Sequence, residues 1–104
     1  MSLEQLDPNF TAPKRLRLAA ILRASVWAEF AFLQDHVGLS KTDLSKQMKH
    51  LIDAGYAESK RAGGRRGGTA WFRLTRDGAS AYDQHLTALH QLTSDVPVSP
   101  NTPD

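Results

Sequence analysis

Between Ser40 and Thr75 the chain reads as a capped helix, a strand, a glycine-rich loop carrying two arginines, and a returning strand. Ser40 suits a helix N-cap, and Asp43 three residues on resembles a capping box with Asp in place of Glu. Leu44, Met48, Leu51 and Ile52 share one stripe at helical spacing and must pack inward. Thr42, Lys46, Lys49 and His50 then point outward, with Ser45 on the shoulder. Gly55 supplies a left-handed cap, so the spacing predicts a helix over 40–54, about 22 Å long. Tyr56 to Arg61 reads as a strand, Gly63-Gly64-Arg65-Arg66-Gly67-Gly68 as the turn, and Thr69 to Leu74 as the return. There Trp71, Arg73 and Thr75 alternate with Phe72 and Leu74, the period of a half-buried strand.

Charge is concentrated on this stretch. Residues 41–76 hold nine basic residues (Lys41, Lys46, Lys49, Lys60, Arg61, Arg65, Arg66, Arg73, Arg76) against three acidic ones, while the remainder holds four against eight. A polyanion is drawn to one face of such a molecule. A hairpin needs one or two glycines to close. Four glycines around an arginine pair make a finger with reach.

At 104 residues the chain is one domain. It contains no cysteine, which excludes disulfides, zinc fingers and thiol chemistry. Its longest apolar stretch, Leu18 to Leu33, is interrupted by Arg23 and Glu29 and is shorter than the roughly 20 residues of a membrane span. Glu4, Asp7 and Pro8 do not suit a signal peptide, and the expected location is cytoplasmic. No nucleophile–base pattern links Ser25, Ser45 and the four histidines. The glycine-rich loop also lacks the Lys-Ser/Thr of a phosphate-binding loop. No enzyme is expected.

Three segments follow from the pattern: an N-terminal arm (1–12), the main domain (13–92) and a disordered tail (93–104) with three prolines and no basic residue. Pro13 opens a helix to about Ser25, with Leu18, Ile21 and Leu22 on one side and Leu16 and Ala20 nearly opposite, so it should have neighbours on both. Val26-Trp27-Ala28 reads as a stub of strand, and Glu29 to Val37 as a short helix ended by Gly38. The last helix spans about Arg76 to Leu92. It carries two stripes, Ala79, Tyr82, Leu86, Leu89 and Ala81, His85, Ala88, Leu92. One closes the core; the other calls for a partner, most simply the same helix of a second copy. Tyr82, His85, Leu86, Leu89 and Leu92 are the expected dimer contacts.

Leu6-Asp7-Pro8, Pro13-Lys14-Arg15-Leu16, Phe30 and Leu33, Gly38-Leu39-Ser40, Leu44-Ser45-Lys46, Leu51 to Gly55-Tyr56, and Thr69 through Arg76-Asp77-Gly78 together resemble the small winged-helix transcriptional regulators related to the MarR and ArsR groups. The resemblance implies a mainly α fold with a small β-hairpin: a winged helix-turn-helix in the order α-α-α-β-wing-β-α with an extended N-terminal arm. It implies a dimeric, repressor-like protein binding double-stranded DNA. The third main helix enters the major groove through Ser40, Lys41, Thr42, Ser45, Lys46 and Lys49, and the wing reaches the minor groove through Arg61, Arg65 and Arg66. A small-molecule effector is compatible with the resemblance, and Trp27 and Trp71 are the residues that would line a small pocket for it. Asp83-Gln84-His85 matches half of an ArsR-type metal motif, and His90 is too close to complete it. The expectation is therefore no metal and no cofactor, with His85 at a helix interface. Trp27 and Trp71 are expected in the core. The competing reading is a winged-helix protein-interaction module, which has no need of cations on both helix and wing.

Overall fold

The computed structural model describes residues 3–64 and 67–103. Its order is a 3-10 turn (Leu3–Gln5), α1 (Pro8–Thr11), α2 (Pro13–Ala24), β1 (Ala28–Glu29), α3 (Phe30–Val37), α4 (Lys41–Asp53), β2 (Ala57–Ala62), β3 (Thr69–Leu74) and α5 (Arg76–Thr93). The three strands form an antiparallel sheet in the order β1-β3-β2, with Ala28 opposite Phe72 and Ser59 opposite the same residue on the other side. This is a winged-helix domain, mostly helical.

α2 is the central helix. Leu18, Ala19 and Leu22 are buried, Leu16, Ala20 and Ile21 pack at the edges of the core, and the helix contacts α3, α4, α5 and β3. Its two apolar sides are both used. Gly38 ends α3 at φ 73°, in the left-handed region that an L side chain resists. α4 follows immediately, so α3 and α4 form the helix-turn-helix.

The N-terminal arm departs from the expectation. Asp7 caps α1 by accepting the Asn9 N–H, and Phe10 is fully buried, stacked on Tyr56 at 5.4 Å and edge-on to Tyr82 at 5.8 Å. Phe10 is part of the core, where its ring fills the apolar hollow between α5 and the Tyr56 turn, while Asp7 and Asn9 stay partly exposed beside it. Residues 94–103 carry no regular element.

The Leu74-Thr75-Arg76-Asp77-Gly78 step has a mechanical basis. Thr75 caps α5 by accepting the Gly78 N–H, and its hydroxyl donates to the Gly55 carbonyl at 2.7 Å while its N–H donates to the Tyr56 carbonyl at 3.0 Å. α5 is thereby clamped to the turn after α4. At Gly78 a Cβ would sit 1.9 Å from the Tyr56 carbonyl oxygen. Only glycine permits that approach.

Candidate nucleic-acid interface

Local rules position the helix surface. Ser40 accepts the Asp43 N–H at 3.1 Å, and Leu44, Met48 and Leu51 are buried. The amphipathic stripe thus fixes the rotation of α4 about its own axis. Ser40, Lys41, Thr42, Ser45, Lys46 and Lys49 are all exposed, as the spacing predicts. Lys49 is tied to Asp53 at 2.7 Å. Lys41 and Lys46 make no ion pair among the described residues, so their charges are unspent.

The second half of the expected capping box is used differently. The Asp43 carboxylate accepts from Lys14 at 2.5 Å and from Gln47 at 2.9 Å, and both bonds hold it below the ordinary carboxylate value, the Gln47 bond most. Gln47 is almost fully buried, and its side-chain carbonyl accepts from Arg15 at 3.0 Å. A polar clamp, Lys14–Asp43–Gln47–Arg15, therefore sets α4 against α2. Sequence periodicity assigned no role to Gln47. Its signal was only its place on the inward side beside Met48.

The hairpin divides its cations between two faces, as strand alternation requires. Ser59 and Arg61 lie on the α4 side, and an open cleft of about 530 Å³ runs between Phe30 and Ser45 on the helices and Ser59, Lys60, Arg61, Ala70 and Phe72 on the hairpin, although the Lys60 ammonium itself reaches the other face. The structure thus brings the helix and Arg61 to one cleft. The Arg61 guanidinium donates to the Gly68 carbonyl at 3.1 Å, bracing the loop base. Arg65 and Arg66 lie outside the described residues.

On the other face Lys60 and Arg73 lie over the Trp27 ring at 4.2 and 4.4 Å, and Arg73 also pairs with Glu58 at 2.5 Å. Trp71 donates its indole N–H to the Ala62 carbonyl at 3.1 Å. Both tryptophans are half-buried on this outer face, not in the core. Trp27 makes a cation–π seat for the hairpin, which explains its position just before β1.

α5 also corrects an expectation. Its inward stripe is Gly78, which neither predicted stripe included, with Tyr82 from one stripe and His85 and Ala88 from the other. Tyr82 and His85 are buried within the chain because Phe10 packs against both. Of the expected dimer contacts, Leu86 is exposed and Leu89 and Leu92 are half-buried. The half metal motif is occupied otherwise: Asp83 takes a bidentate bond from Arg23, and His85 Nδ1 accepts the Asp7 N–H at 2.9 Å.

Comparison with known proteins agrees with this architecture. At TM-score 0.75 and 19% identity the chain is similar to a transcriptional regulator homologue from Pyrococcus horikoshii OT3, covering 81% of this chain and 83% of that one. At 0.72 and 24% it is similar to Rv0081 of M. tuberculosis, covering 84% of each. At 0.71 and 17% it is similar to the PcaV transcriptional regulator of Streptomyces coelicolor, solved with its natural ligand, covering 86% of this chain and 62% of that one. No curated protein matches the sequence. The family model described as winged helix DNA-binding domain matches residues 14–93, spanning α2 through α5, and the chain belongs to that family.

Proposed function

We propose that this chain is a sequence-specific DNA-binding transcriptional regulator, acting as a dimeric repressor in the cytoplasm, with α4 in the major groove and the wing at the neighbouring minor groove. The observation that carries the reading is the cleft between Ser45 of α4 and Ser59 and Arg61 of the hairpin, with Lys41 and Lys46 exposed on the same helix and in no ion pair among the described residues. Lys46 and Ser45 sit on a helix fixed by packing and can meet base edges. Arg65 and Arg66, in a glycine-rich loop, suit phosphates. Phosphate contacts set affinity and base contacts set sequence choice.

The dimer is proposed through Leu86, Leu89 and Leu92 of α5, the apolar side chains that the core leaves at least partly open. Sedimentation of the unaltered protein at micromolar concentration tests it, and a monomer there overturns it.

The DNA reading is tested with a duplex of random sequence at low salt and then with sites selected from a random pool. Retardation that weakens with salt is expected. Changing Arg65 and Arg66 to Ala should lower the log–log salt slope by about 2, at roughly 0.9 per phosphate contact. Lys46→Ala should cost about 1–3 kcal/mol at a selected site and less on random DNA. No retardation at any salt would favour a protein-interaction module instead.

A further inference from the structure

Residues 7–10 lie outside the part of the chain that the family model matches, yet they join three of its elements. Asp7 donates its N–H to His85 of α5, and its carboxylate accepts from the Tyr56 hydroxyl at 2.6 Å and from the Asn9 backbone and side chain. Phe10 fills the space between them. The Asn9 side-chain oxygen meets Nε2 of His50, near the end of α4, at 2.9 Å, and the Asn9 carbonyl accepts from Arg15, which also holds Gln47 of α4. The segment is a strap from α5 across the Tyr56 turn to the exposed helix.

The bond at its α5 end depends on protonation. Nδ1 of His85 can accept the Asp7 N–H only while the ring is neutral with its proton on Nε2; the imidazolium has two donors and no acceptor. We propose that Asp7, Asn9 and His85 position the DNA-facing helix, and that protonation of His85 releases the strap and weakens DNA binding. The proposal rests on the DNA-binding reading above.

The surroundings keep the ring neutral at ordinary pH. Burial pushes His85 below its ordinary value of 6.5, and the Asp7 carboxylate opposes this more weakly. Other ionisable groups on the neighbouring elements are Tyr56, Tyr82, and Glu4 in the 3-10 turn. On α2, Arg15 is turned to Asn9 and Gln47, and Arg23 is paired with Asp83; on β3, Arg73 is paired with Glu58. Among the described residues, Asp7 is the one charge that acts on His85.

The sign follows from linkage. A histidine whose folded pKa is depressed costs nothing above its unfolded value; stability is lost as pH falls below about 6.5, and the contact itself is released as pH falls through the lower folded pKa. One linked proton sets a limit of about tenfold in affinity per pH unit.

The test follows backbone amide and imidazole resonances of the full chain from pH 8 to 5, beside duplex affinity over the same range, for the unaltered protein and for H85N. Asn places an amide oxygen where Nδ1 sits, so it keeps an acceptor that does not titrate. In the unaltered chain the Asp7, Asn9 and His50 amides should shift with the His85 midpoint, and affinity should fall by several-fold or more. In H85N those amides should lose that midpoint and affinity should stay flatter. N9A should weaken binding at pH 7.5 while leaving the His85 titration in place. If the Asp7 amide ignores His85, if the α4 amides move independently of it, or if H85N keeps the same affinity profile, the proposal is wrong. If no duplex is bound at any pH while the amides move together, the DNA reading fails, and with it the claimed effect on DNA; the proton-linked strap alone survives.

Discussion

The basic face of α4 and the hairpin and the N-terminal strap hold themselves together over different distances along the chain. On α4 and the hairpin most of the bonds are shorter in sequence, Ser40 to Asp43, Lys49 to Asp53 and Arg61 to Gly68, and the longest, from Lys14 and Arg15 of α2 to Asp43 and Gln47, span 29 and 32 residues. The strap bonds across separations of 41, 49 and 78 residues, to His50, Tyr56 and His85. One region keeps its charges in water and offers them outward. The other places an aromatic ring, a carboxylate and an imidazole together at the seam of the core. The first can lose a side chain with little effect on folding, whereas the second cannot.

The sharpest way to break the comparison is Phe10→Ala. The ring is fully buried among Tyr56, Tyr82 and His85, so its removal should cost about 3–5 kcal/mol in denaturant unfolding. A loss under 1 kcal/mol would mean that the arm merely rests on the domain.

Gly78→Ala comes next. A methyl 1.9 Å from the Tyr56 carbonyl oxygen must drive α5 off the turn, at a cost of about 3 kcal/mol. Its thermal midpoint should drop by more than that of any single substitution on the exposed face of α4.

Tyr56→Phe should cost about 1 kcal/mol at neutral pH by removing one hydrogen bond to a carboxylate. Burial raises the Asp7 pKa, but the bonds from Tyr56 and Asn9 outweigh it and hold the carboxyl below its ordinary 3.8. Their stabilising contribution is present above that value and is lost as pH falls through the lower folded pKa. Without the Tyr56 hydroxyl, less stability should disappear as pH falls below about 3.8, as acid unfolding curves would show. An unchanged acid limb would remove Tyr56 as the cause.

The smallest effect is expected at Lys49→Ala. Its partner Asp53 is one helical turn away and both are largely exposed, so stability should change by no more than about 0.5 kcal/mol. Unfolding that shifts further would place α4 in the same cooperative web as the strap.

Much of the basic α4 and hairpin surface was legible because helices and hairpins announce themselves locally. Ser40, the Leu44–Met48–Leu51 stripe, Gly55 and the alternation around Phe72 specify elements whose bonds close within a few residues. The exposure of Lys41, Lys46 and Lys49 follows from the same periodicity, since fixing one face of a helix fixes the other. The four glycines marked the loop between β2 and β3 for the same reason, by permitting positive φ.

Periodicity could not say which apolar stripe of α5 faces inward. Tyr82 and His85 were chosen by Phe10, about seventy residues earlier in the chain and attached by no local rule. Trp27 became a seat for Lys60 and Arg73 only when β1 paired with β3, and Gln47 joined Arg15 only when α2 crossed α4. Sequence by itself determined the elements, their order and the cations they display, because those depend on neighbours three or four positions away. Tertiary structure decided which polar groups meet in the interior, because a buried hydrogen bond is satisfied by whatever the fold brings to it.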